Sequence, residues 1–116
     1  MKPKTPKAPP HLTDPTRLWW RSVVREYALE PHHLRLLQAA CECWDRLQQS
    51  RELLARDGLV VEGREGGVRP HPAVAIERDS RISFARLVRE LDLDTEPAPS
   101  VRTAPPALRS NRRSSL

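Results

Sequence analysis

Between Pro31 and Gly58 nothing interrupts a helix, and that run constrains the chain more than any other feature. Proline is tolerated in a first helical turn, where its missing N–H has no intrahelical acceptor, and glycine is a natural C-terminal stop. The spacing therefore predicts one helix of about 27 residues, roughly 40 Å long at 1.5 Å per residue. On a helical wheel Leu36, Leu37, Ala40, Cys41, Cys43, Trp44, Leu47, Leu54 and Ala55 fill nearly half the circumference, a wider arc than one partner helix covers. So wide a face asks for several neighbours. In a chain of 116 residues some of them are expected from other copies, which makes Leu36, Leu37, Ala40, Trp44, Leu47 and Leu54 the oligomerisation candidates.

Two shorter helices flank the long one. Thr13-Asp14-Pro15 opens the first, with Asp14 placed to accept from free backbone donors, and the helix is expected to reach about Ala28. Trp20, Val23, Val24 and Tyr27 follow the spacing of a buried face, and Arg17, Arg21 and Arg25 form a stripe beside it. That stripe reads either as a solvated face or as a set of phosphate contacts. After Gly58, Leu59-Val60-Val61-Glu62 and Val68-Arg69-Pro70 read as two strands around the turn Gly63–Gly67. No Lys-Ser/Thr pair follows those glycines, so they read as a turn and not as a phosphate loop. His71-Pro72 leads into a third helix to about Leu91, with Ile76, Phe84, Leu87, Val88 and Leu91 on one face. Arg78, Arg81, Arg86 and Arg89 lie mostly opposite, interspersed with Glu77, Asp79 and Glu90. The fold class is mainly α, three helices with a short β-hairpin between the second and third.

Charge separates the ends from the middle. Lys2, Lys4 and Lys7 stand without an acid in residues 1–12, and Arg102, Arg109, Arg112 and Arg113 without one in residues 101–116. The whole chain carries only +5, so the stretch between these ends is slightly acidic. Prolines crowd the same ends, at 3, 6, 9 and 10 and at 97, 99, 105 and 106, where each removes a backbone donor and restricts its predecessor. Three regions are expected: a disordered basic arm over 1–12, a helical oligomerisation domain over 13–96, and a disordered basic tail over 97–116. Lys2, Lys4, Lys7, Arg109, Arg112 and Arg113 join Arg17, Arg21 and Arg25 as charge-based DNA-binding candidates.

Chemistry-bearing constellations are sparse. Cys41 and Cys43 sit two apart on a helix, about 200° round the axis, so they neither bridge nor share a metal. His32 and His33 point about 100° apart at a helix start that disfavours a protonated imidazole, and they read as packing residues. Most acids have an arginine three or four residues away, as helical surface pairs do. The reading is of a protein with no catalytic residues, no metal and no cofactor. No run approaches the roughly 20 apolar residues of a membrane span, and no targeting signal is recognisable, so a soluble intracellular protein is expected.

The order of several short words resembles the small subunit of tailed-phage terminases, especially those of actinobacterial phages and prophages. The matching stretches are Leu18-Trp19-Trp20-Arg21 with Glu26-Tyr27, Leu29-Glu30-Pro31-His32-His33-Leu34, and Ala39-Ala40-Cys41-Glu42. They continue with Asp57-Gly58-Leu59, the run from Arg69 to Asp79, Phe84-Ala85-Arg86-Leu87, and the run from Pro106 to Arg113. Asp92–Pro97 departs from the pattern, being acidic where many relatives carry a Gly-Leu-Thr-Pro-like segment. The resemblance implies a non-catalytic packaging factor in the host cytoplasm. Such a factor binds double-stranded viral DNA, assembles as a ring-like homo-oligomer and delivers the DNA to the large terminase subunit, which carries the ATPase and nuclease. A small dimeric DNA-binding regulator and a protein-only adaptor are the competing readings.

Overall fold

The computed structural model describes residues 5–93. Three helices form, α1 Asp14–Glu26, α2 Pro31–Asp57 and α3 Pro72–Leu91, and a two-stranded antiparallel hairpin, β1 Val60–Glu62 with β2 Val68–Pro70, separates the last two. Element order and type are those expected from the sequence. α1 ends at Glu26, two residues short of Ala28.

Each boundary has a local cause. Prolines occupy the first turn of all three helices, where no backbone donor is lost. Gly58 ends α2 with φ 86° and ψ 174°, a conformation that is open essentially to glycine alone. Gly66 supplies the positive φ of the hairpin turn, at 85°. His71 caps α3: its Nδ1 accepts from the Ala73 N–H at 2.9 Å, and its Nε2 lies 2.9 Å from an Asp57 oxygen at the end of α2. One imidazole thus ties the two helix ends together across the hairpin.

The start of α1 differs from the expectation. Thr13, not Asp14, is the capping residue, and its side chain makes no capping hydrogen bond to the helix. Asp14 instead pairs with Arg17 one turn on. A carboxylate from α2 organises this corner: Asp45 accepts from the Thr13 N–H at 2.9 Å, the Thr13 hydroxyl at 2.9 Å and the buried Thr16 hydroxyl at 2.6 Å.

Contacts pairing Trp44 with Phe84, Arg51 with Glu77 and Asp57 with His71 show α3 running antiparallel to α2. α1 runs antiparallel to the first half of α2, from Thr16 beside Asp45 to the short link between Glu26 and Pro31 that joins the two helices. The core lies where all three meet, among Leu12, Trp20, Val23, Leu37, Cys41 and Leu91. Cys41 is fully enclosed there, and burial, with Asp45 and Glu42 nearby, pushes its thiol up to about 12. Burial also raises the Cys43 thiol, so neither sulfur is a ready nucleophile.

Residues 1–12 read as an arm, yet the described part of that segment packs on the helices. Leu12 is a core residue and Ala8 lies against the core, the Pro6 carbonyl accepts from Trp20 Nε1 at 3.2 Å, and His11 Nε2 meets Glu42 at 2.8 Å. Prolines keep this stretch extended while Ala8 and Leu12 supply its apolar contacts. Carbonyls left without helix or sheet partners are then satisfied by side chains.

Candidate nucleic-acid interface

Of the nine basic residues singled out by charge, Arg17, Arg21, Arg25 and Lys7 fall within the described structure. Lys2, Lys4, Arg109, Arg112 and Arg113 lie outside the described residues. The three arginines of α1 share a stripe but not an environment. The Arg17 guanidinium donates to the carbonyls of Pro10 at 2.9 Å and Leu12 at 2.8 Å, and pairs with Asp14. It holds the N-terminal segment in place, and its donors are committed. Arg21 and Arg25 are exposed and have no hydrogen-bond or ion-pair partner among the described residues.

Lys7 is also exposed and unpartnered among the described residues. Its neighbour Pro6 is fixed to Trp20, which precedes Arg21, so the Lys7 backbone is held against α1. The packed N-terminal segment thereby brings one arm cation to the helix that carries the arginine stripe. A backbone anchored in this way gives its side chain less freedom to lose on meeting a phosphate.

On α3 the acids blunt only part of the basic stripe. Arg78 pairs with Asp79 at 3.2 Å, and Arg81 and Arg51 both reach Glu77, at 3.5 and 3.3 Å. Burial works against the Glu77 charge, but the hydrogen bonds from Arg51 and Arg81 outweigh it and lower its pKa. Arg86 and Arg89, further along, are exposed and unpaired among the described residues. Arg35, Arg64 and Arg69 are too. Sequence spacing singled out none of the last three, because a cation is recognised as unpaired only when its neighbours in space are known.

The apolar candidates divide as sharply. Leu37, Ala40 and Leu47 are buried within the chain, at 0%, 0% and 2% exposure, while Leu36 and Leu54 are half-buried. The wide face of α2 is covered to that extent by α1, α3 and the N-terminal segment of the same molecule. Trp44 alone among the six remains open, at 37%. Other large apolar side chains stand further out: Leu59, Val60 and Val68 on and beside the hairpin at 66%, 56% and 71%, and Leu18 of α1 at 63%. Ile76 and Ile82 of α3 are also exposed.

The histidines at the start of α2 are a local device. Their rings lie 4.1 Å apart between centroids, and His33 Nδ1 accepts from the Glu30 N–H at 3.1 Å. Among the described residues no three His, Cys, Asp or Glu side chains are grouped to hold a metal ion, and no helix there is long and apolar enough to cross a membrane.

Comparison with known proteins yields one family. The model of the phage terminase small subunit matches residues 17–106, a span that takes in nearly all of α1 and everything through the hairpin and α3. No curated protein and no solved structure matches the chain. A match over more than three quarters of the sequence, taking in most of α1 and all of α2, the hairpin and α3, places the chain in the phage terminase small-subunit family.

Proposed function

We propose that the protein is the non-catalytic DNA-recognition component of a phage packaging machine. The family places it in phage DNA packaging. In the proposed role it binds double-stranded viral DNA in the host cytoplasm as a ring-like homo-oligomer and hands that DNA to the large terminase subunit, which does the ATPase and nuclease work. The family match over residues 17–106 carries this reading. The unpaired, exposed Arg21 and Arg25 of α1, with Lys7 anchored alongside, support it and offer a place for the phosphates. Contacts of this kind give affinity and register without reading sequence. Copies in a ring would multiply a weak individual contact. The exposed apolar residues of the hairpin, Leu59, Val60 and Val68, are the material offered for assembly, in place of the buried Leu37, Ala40 and Leu47.

Titration of labelled duplex DNA against the full chain over a salt series tests the reading. Log affinity should fall linearly with log salt, and Arg21→Ala with Arg25→Ala should flatten that slope by about 0.9 for each phosphate that a chain no longer neutralises. Light scattering on the same sample should give a mass well above a dimer. Absence of DNA binding at every ionic strength would overturn the proposal in favour of a protein-only adaptor, and a strict dimer protecting a palindromic site would favour a regulator.

A further inference from the structure

Where the three helices meet at the Thr13 end of α1, a cleft of about 380 Å3 opens between Pro15, Thr16, Trp19, Trp44, Phe84 and Val88. Its walls are aromatic. The Phe84 ring lies 5.9 Å from Trp19 and 5.0 Å from Trp44, tilted by 52° and 51°. Neither Trp19 nor Trp44 has a hydrogen-bond partner for its indole N–H among the described residues. Trp19 is half-buried, and an indole covered in this way ordinarily finds an acceptor. Trp20 shows how this chain supplies one: the carbonyl of Pro6, in a proline-bearing segment laid along the helices, accepts its N–H at 3.2 Å.

We infer that the Trp19–Trp44–Phe84 cleft is a docking groove for the proline-bearing stretch 97–106 of the same chain. Pro97, Pro99, Pro105 and Pro106 lie in that stretch. Proline-rich chain favours the polyproline II conformation, which leaves its carbonyls without internal partners. Aromatic-lined grooves with available donors are the surfaces that take such segments.

The reach is sufficient. The described chain ends at Leu93, whose carbonyl accepts from the Tyr27 hydroxyl just past the end of α1. Trp19 lies eight residues back along that helix, about 12 Å at 1.5 Å per residue. Four residues from Leu93 to Pro97 span up to about 13 Å, and the twelve to Pro105 about 40 Å, when extended. A segment tethered this closely meets the cleft at an effective concentration in the millimolar range, so modest affinity is enough to fill it. Docking there would also fix where the cations that follow, Arg109, Arg112 and Arg113, emerge from the folded domain.

The test is nuclear magnetic resonance on the full-length protein uniformly labelled with carbon-13 and nitrogen-15. Cross-relaxation is expected between proline δ protons of residues 97–106 and the rings of Trp19 and Trp44. In a full-length variant with Pro97→Ser, Pro99→Ser, Pro105→Ser and Pro106→Ser the Trp19 and Trp44 indole N–H signals should shift, while the Trp20 signal holds its place. The four substitutions lie outside the described residues, and the unchanged Trp20 signal reports that the fold is intact. A mixture of labelled and unlabelled chains separates own from foreign occupants: filtered proline contacts between chains would overturn the assignment in favour of a second copy. Unmoved Trp19 and Trp44 signals in the proline variant would overturn docking altogether and leave the cleft to a partner protein.

Discussion

The two halves of α2 end up differently: eight apolar residues fall between Leu34 and Trp44, and only Leu47, Leu53, Leu54 and Ala55 follow. In the first half Leu37, Ala40 and Cys41 are wholly enclosed, because α1, α3 and the segment before α1 all converge there. In the second half Leu47 and Ser50 are enclosed as well, but beyond them Leu53 and Leu54 stay half-buried, Ala55 is exposed, and the hairpin that follows carries Leu59, Val60 and Val68 in the open. The difference teaches that a helical wheel measures how much burial a face requires, while topology decides where the burial is delivered. One end of the molecule is a three-layer core. The other is a two-layer extension with apolar surface to spare, and surface of this kind is the candidate place for another chain to fit.

Truncation tests this contrast most strongly. Leu37→Ala opens a cavity in the three-layer end and should cost about 2–5 kcal/mol of unfolding free energy in urea titration. Leu59→Ala and Val68→Ser at the other end should stay within about 0.5 kcal/mol in the isolated chain. If light scattering shows the assembly dissociating in the hairpin variants while stability holds, the open end is the intersubunit surface. Equal destabilisation by Leu37→Ala and Leu59→Ala would break the comparison.

A smaller loss is expected at the corner where the N-terminal segment joins the three-layer end. Asp45→Ala removes the acceptor for three donors, one of them the buried Thr16 hydroxyl, and should cost about 2–3 kcal/mol. Arg17→Ala should loosen the same corner, visible as faster amide exchange at Leu12, with a much smaller change in DNA affinity than Arg21→Ala gives. Gly58→Ala probes the thin end. A methyl group at that position meets no atom within 4 Å, so the cost is the backbone strain of φ 86° alone, about 1–2 kcal/mol by thermal melting.

Much of the fold was legible because its punctuation is local. Pro31, Gly58, Pro72 and the glycines of the turn each fix a boundary through their own backbone chemistry, and the helices and hairpin followed. What stayed hidden depends on neighbours distant in sequence. Arg17 looked like its stripe-mates because its partners are main-chain carbonyls, and carbonyls leave no trace in residue identity. Residues 1–12 looked like an arm because prolines and lysines dominate them, yet Leu12 and Ala8 were the signal: apolar side chains at a spacing that lets an extended segment touch a core. Asp45 organises α1 from 29 residues away from Thr16. Trp19 fell off the buried face of α1 and Phe84 onto that of α3, and nothing in either helix alone says that the two rings meet.

The smallest effect concerns pH and the junction between the two ends of the hairpin. Hydrogen bonds from Arg56 and then from His71 hold the Asp57 carboxyl well below the usual carboxylate range. Its folded-state pKa therefore lies below the unfolded value of about 3.9. A depressed acid contributes stability that is present above the unfolded pKa and is lost as pH falls below about 4 towards the folded one. Asp57→Asn should accordingly leave stability at pH 7 slightly lower and make the acid limb of the stability curve shallower between about pH 4 and pH 2. Arg56 neighbours Asp57 in the unfolded chain too, so only the His71 share is special to the fold, and the carboxyl is open to solvent screening. A full acid limb in Asp57→Asn would mean that His71 joins the ends of α2 and α3 through its cap on Ala73 alone, and that the carboxylate is a bystander at the thin end of the molecule.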